Sequence, residues 1–321
     1  RVRGMRATTP RVAPGVAPAR DGRRRGVARR VVARAAGADE AAAPPRGKSE
    51  AYDQARVAVE RALEKSTKRA TKRRRSSGRA VGKPARLAVE LPVNDDSDAA
   101  LIEMATGTLG DGARDATAVF GRASAAKLAR EMGSAMECVS VDDAWTAADA
   151  AARDGIIALV GVPSDRVEAA MRKCRAGEGR PTVCVNVEWE HDGDGGLAWS
   201  MSRQQAGVDD AAPSDVEAFA NSFVVVYSFL PLNIQASMFA SSLEGAVFKC
   251  VRGGAPAGTP WRILVKEKGA FAQVGAMQRR PQQTDLEAAL YNSIAAKSPV
   301  NEAVGKASGF FRGLMNKDKD K

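Results

Sequence analysis

"IIALVGVPSDRVEAAMRKC" occupies residues 156–174, and "TVCVNVEWE" follows at 182–190. The run 156–162 is apolar, short and bounded by Pro163, which reads as a strand buried on both faces. Ser164 then opens a helix, with Asp165 and Glu168 in its first turn where the helix dipole favours acids. Strand, helix and a second apolar strand in quick succession predict a β-α-β unit with parallel strands and a right-handed crossover.

Working outward, the same alternation repeats upstream. "RLAVELPV" (86–93) precedes the helix "SDAALIEMA", with Ser97 or Asp98 as N-cap, and "TAVF" (117–120) precedes "SAAKLAREM". "MECVSV" (136–141) precedes "DDAWTAADAAARD" (142–154). This order predicts an α/β fold, a mostly parallel, doubly wound, Rossmann-like sheet with helices on both faces. Downstream the style changes. After the short helix "SDVEAFANS" comes a buried strand, "FVVVYSF" (223–229), and then "GAVFKCVRG", "WRILVKEKG" and "AFAQVGAMQ" read as an antiparallel meander joined by Gly-rich turns. The helix "TDLEAALYNSIAAK" opens with a capping box of Thr284 and Glu287.

The formal net charge is +11, but it is unevenly placed. Residues 1–48 hold thirteen basic and three acidic side chains, 49–84 eleven and four, and 85–321 twenty-five and thirty-one, a net of −6. The α/β part is therefore acidic and repels a polyanion over most of its surface. Residues 1–48, rich in Arg, Ala and Pro, have the composition of an organelle transit peptide with a disordered N-terminus, for a mitochondrion or a plastid. Residues 49–84 hold a first helix, with Tyr52, Ala55, Val59, Ala62 and Leu63 on one face, that ends in the basic linker "TKRATKRRRSSGRAVGKP" (67–84). Arg73, Arg74 and Arg75 are its anion-contact candidates. Without interleaved aromatics the run is a weak nucleic-acid signal. Residues 85–296 form the α/β domain and 297–321 an amphipathic tail. The four cysteines show no metal or disulfide spacing and are expected to be reduced and mostly buried. No segment approaches the ~20 apolar residues that span a bilayer.

Ligands of doubly wound sheets sit beyond the carboxyl ends of the strands. Pro163, Ser164 and Asn186 fall there and are the ligand-binding candidates, although the turn lacks the glycines that let backbone approach a phosphate. "GTLGDG" (107–112) follows a helix and reads as a mobile connection rather than a phosphate loop. His191, the one histidine of the chain, stands among acids in "EWEHDGDGG" and reads as part of a solvated turn. Asp95, Asp96 and Asp98 are explained by capping. No catalytic constellation, metal site or cofactor emerges. In "SPVNEAVGKASGFFRGLMNKDKDK", Val300, Val304, Ala307, Phe311, Leu314 and Met315 make an apolar stripe, and with Phe310 they are candidates for membrane or partner contact.

"AYDQARVAVERAL", "RLAVELP", "DGIIALVGVPS", "PTVCVNVEWE", "FVVVYSFLPL" and "WRILVKEKGAFAQVGAMQRRP", in that order, resemble a plastid and cyanobacterial domain-of-unknown-function family, number nineteen ninety-five. The resemblance spans roughly residues 50–296. The family's recurring positions are here Pro163, Asn186, Tyr227, Pro231, Trp261 and Pro281, and no catalytic residue comes with it. Its domain occurs in assembly factors named for low photosystem II accumulation and as an extension of a plastid adenylate kinase. The resemblance implies a chloroplast stromal protein, in peripheral contact with thylakoids, whose partners are photosystem II subunits or assembly factors. On that reading the chain is non-enzymatic and assists photosystem assembly through transient contacts. The alternative is a small-molecule or adenine-nucleotide-binding domain, with or without enzymatic activity. Nucleic-acid binding through the basic linker ranks below both.

Overall fold

The 156–174 stretch forms strand, turn and helix in the computed structural model, which describes residues 42–77, 84–93, 95–151, 154–189, 215–235, 242–253 and 256–296. Strand β4 (Ile157–Val160) passes through a 3-10 turn at Ser164–Arg166 into helix α5 (Val167–Ala176) and on to β5 (Thr182–Val185). Before it come α1 (Lys48–Ser77), β1 (Arg86–Glu90), α2 (Asp98–Leu109), β2 (Thr117–Phe120), α3 (Ala123–Glu131), β3 (Glu137–Ser140) and α4 (Ala147–Ala151). After it come α6 (Asp215–Ala220), β6 (Val224–Gln235), β7 (Ser242–Cys250), β8 (Trp261–Glu267), β9 (Ala270–Met277) and α7 (Gln283–Ala296).

These strands make one nine-stranded sheet in the order β3-β2-β4-β5-β1-β6-β7-β8-β9. The first six are parallel, and β6 to β9 form the antiparallel meander. The chain moves one way from β1 to β2 and β3 and then reverses through β4 and β5 to β6. Right-handed crossovers place the connecting helices on opposite faces when the direction reverses. Accordingly α1, α2 and α3 pack on Leu87, Val89, Phe120, Val160 and Val185. On the opposite face α5, α6 and α7 pack on Ala88, Val119, Leu159, Cys184 and Val225. Alternate residues of β1 thus serve two cores, as the period-2 side-chain direction requires.

Helix α1 lies on the first face through Ala51, Ala55, Ala58, Val59 and Ala62, all at most 8% exposed. Such small side chains bring it close to α2. A Cβ at Gly107 would lie 2.8 Å from the Tyr52 ring, and one at Gly110, whose φ is +54°, would lie 2.4 Å from Arg56 Cδ. The "GTLGDG" segment is therefore no mobile connection. It ends α2 and continues as a 3-10 helix at Gly110–Asp115, with its glycines there for close approach and backbone sign.

Cys138, Cys174 and Cys184 are buried and Cys250 is partly buried, all as free thiols. Burial pushes the Cys174 thiol up to about 11 from an ordinary 9.0, and Cys184 is raised for the same reason. Unfolded, the Cys174 thiol ionises from about pH 9, while the folded chain holds its proton until about pH 11. Above pH 9 the unfolded state thus binds fewer protons, so stability falls as pH rises through this window. We expect urea midpoints to drop from pH 9 to 10.5 more in wild type than in Cys174→Ala. Equal drops would show that other groups carry the alkaline loss.

Candidate functional site

The strand exits where α/β sheets hold ligands are occupied here by the protein's own groups. Asn186 adopts a left-handed φ of +48° just past β5. Its Oδ1 accepts from the Leu91 backbone N–H at 2.7 Å, and its Nδ2 donates to the Leu91 carbonyl at 2.9 Å. The second Nδ2 hydrogen is directed to Met104 Sδ at 3.3 Å. A side chain thereby extends the parallel pairing of β1 with β5 by one step, in the manner of a backbone unit. Beside it, Gly161 N–H donates to the Val185 carbonyl, Gly121 N–H to the Val160 carbonyl and Glu188 N–H to the Val162 carbonyl. A Cβ at Gly121 would fall 2.2 Å from the Gly161 carbonyl oxygen and 2.8 Å from Pro163 Cδ. Pro163, Ser164 and Asn186 are thus at neighbouring strand ends, as the sequence placed them, and Asn186 is spent on β1.

The surrounding charges are paired. Asp95 accepts from Ser97 N–H and Oγ–H, Ser97 Oγ caps α2 at Ala100, and Arg122 binds Asp96 at 2.6 Å with Asp98 at 3.7 Å. Among the described residues no three or more His, Cys, Asp or Glu side chains gather as a metal site would require.

Open grooves lie elsewhere instead. One, of about 530 Å³, lies on the first face between the start of α1, the exit of β1 and the arm formed by β6 and β7. Pro45, Tyr52, Pro92, Phe229, Pro231 and Phe271 give it an apolar wall. Phe229 and Phe271 meet edge to face at 5.8 Å. Val93 stands at its lip 54% exposed, one of the few large apolar side chains left in solvent among the described residues. Lys48 pairs with Glu103 at 2.5 Å and sits 5.8 Å above the Tyr52 ring; the Glu103 hydrogen bond raises the Lys48 pKa, and burial raises that of Tyr52. Lys266 and Glu244 pair at 2.6 Å on the other side. Another groove, larger, lies at the opposite ends of β1 and β5.

Of the remaining sequence candidates, Pro231 lines the first groove, whereas Tyr227 and Trp261 are fully buried. Arg73, Arg74 and Arg75 belong to the last turns of α1, but their side chains lie outside the described residues, as do His191, Phe310, Phe311, Leu314 and Met315. Sequence reading missed the groove because it is assembled from α1, the β1 exit and the β6–β7 arm. The one available signal was "FLPL", where Pro231 and Leu232 continue an apolar strand beyond its buried part.

A family model described as "Domain of unknown function (DUF1995)" matches residues 45–288. No curated protein and no solved structure matches the chain. The matched span begins at the groove residue Pro45, takes in strands β1 to β9 and ends inside α7. The chain belongs to the DUF1995 family.

Proposed function

We propose that the chain is a non-enzymatic chloroplast stromal protein that assists photosystem assembly, photosystem II above all, through transient protein contacts, with peripheral thylakoid contact through its C-terminal tail. The observation that supports this reading is the groove beside the β6–β7 arm. Prolines, aromatic rings and an exposed Val93 line it, while the crevice expected to hold a small ligand is taken up by Asn186 and close-packed backbone. A stable apolar wall with paired charges at its margins is the anatomy of a protein-docking surface, with an apolar centre inside a polar rim.

Tagged full-length chain recovered from gently solubilised plastid membranes is expected to enrich photosystem II subunits or insertion factors against an untagged control. Val93→Asp changes one exposed residue, so its stability stays within about 0.5 kcal/mol of wild type. A charge set in the apolar part of an interface costs about 2 kcal/mol or more, so that enrichment should fall at least about tenfold. Undiminished recovery by Val93→Asp would remove the groove from the reading, and no photosynthetic partner with either chain would end it.

A further inference from the structure

At the starting ends of β1 and β5, away from the strand exits, lies a cavity of about 950 Å³. Its walls are mainly apolar, with Leu87, Met171, Phe219 and Val224 among them. Into it comes the first residue of β1, Arg86. The guanidinium carbon stands 4.9 Å from the Phe219 ring centre and 5.9 Å from that of Phe223. Its Nη1 donates to Ser222 Oγ at 2.6 Å, and that hydroxyl donates to the Phe219 carbonyl at 2.5 Å. Two rings and a fixed hydroxyl therefore hold the group in one orientation, and among the described residues one of its five donors is used.

The other charges at this cavity are engaged differently. Arg175 pairs with Asp215 at 2.8 Å. Arg180 donates to the carbonyls of Gly155, Ala150 and Ile156 and to Thr117 Oγ1. Lys65 reaches the Gly253 carbonyl at 3.2 Å, and Glu178 is exposed at the margin. Among the described residues Arg86 has no carboxylate in ion-pair range. A partly buried guanidinium without an anion loses hydration that only charge-assisted hydrogen bonds restore. Its planar fork matches a carboxylate or phosphate, and the walls around it match an apolar body.

We propose that this cavity binds an amphiphilic anion, a molecule with a carboxylate or phosphate head on an apolar body, the head pairing with Arg86. The test is titration calorimetry of the full-length chain with laurate, dodecyl phosphate, dodecanol and inorganic phosphate, the amphiphiles kept below micelle formation. Laurate or dodecyl phosphate should bind one to one, and whichever binds more tightly names the head. Dodecanol should bind at least about tenfold more weakly, and inorganic phosphate alone should give no heat. Arg86→Met should weaken the anionic amphiphile at least about tenfold, the usual scale for a charge-assisted bond, with Arg86→Lys in between. Should Arg86→Met fail to fold, photolabelling of the native chain by a diazirine-bearing fatty acid decides: label within residues 167–180 or 215–224 supports the site. Equal binding of dodecanol, undiminished binding by a folded Arg86→Met, label elsewhere, or no amphiphile bound would each overturn it.

Discussion

Asn186→Ala should lower the unfolding midpoint by roughly 10 °C, taking about 2–4 °C per kcal/mol for a domain of this size and a loss of about 3–4 kcal/mol. Two contributions make up that loss. The Leu91 N–H and carbonyl, on a residue 2% exposed, lose the bonds of 2.7 Å and 2.9 Å that Asn186 supplies. Each buried group left without a partner costs about 1–3 kcal/mol. Alanine also has to take a φ of +48°, which asparagine tolerates better because its short polar chain bonds locally, a difference of about 1 kcal/mol. Asn186→Gly separates the two, keeping the backbone sign while deleting the bonds, and should recover about 1 kcal/mol relative to Ala. A midpoint for Asn186→Ala within about 2 °C of wild type, well inside the per-kcal scale, would show that the clamp contributes nothing and would return Asn186 to the list of ligand contacts.

That residue also shows where sequence reading stops. Asn186 was legible as a strand-end residue because "TVCV" is an apolar run that must end there. Its task was not, because Leu91 lies 95 residues away and meets it only when β1 slots between β5 and β6. Strand identity came through well wherever local pattern and burial agree: "TAVF" is β2 residue for residue, fully buried. The helix expected over 142–154 begins only at Ala147, the first residue of α4. Thr146 Oγ1 accepts from Asp149 N–H at 3.2 Å while Asp149 accepts from Thr146 N–H at 2.7 Å, so a capping box starts the helix there. Asp143 meanwhile bonds Ser140 N–H and holds 140–143 as a turn. The box is legible in "TAAD" (146–149), inside an Ala-rich run that by itself favours a longer helix. At α7 the reverse happened. Gln282 N–H donates to Asp285 at 3.0 Å, so the helix starts before the expected Thr284 cap, and Glu287 receives the Gln283 side chain instead. Strand β6 runs to Gln235, beyond the expected Phe229, past Pro231. Past Ser228 it has no paired neighbour on the β1 side among the described residues, and a residue without an N–H is tolerated on such an edge.

The two halves of the sheet, one parallel and one antiparallel, are joined at β1 and β6, and a polar link fixes that joint. Glu90, last in β1, accepts from Ser228 Oγ of β6 at 2.6 Å and from Arg280 Nη1 at 2.6 Å. Arg280 in turn stands 5.5 Å from the Trp261 ring, which also has Lys249 at 4.9 Å and is fully buried. The pair is 13% and 26% exposed at its carboxylate and guanidinium side chains respectively. Glu90→Gln should therefore cost about 3 kcal/mol, the lower end of what removing one partner of a buried pair costs. The size is unchanged, so the loss reports charge and not cavity. Adding Arg280→Met should return about 2 kcal/mol of that, because a charge no longer needs its carboxylate and an apolar stem still covers Trp261. Denaturant midpoints of the two single variants and the double variant supply the coupling energy. Additivity within about 0.5 kcal/mol would mean that Glu90 and Arg280 stabilise the chain independently, and that backbone pairing of β1 with β6 and apolar packing, without this ion pair, join the antiparallel meander to the parallel sheet.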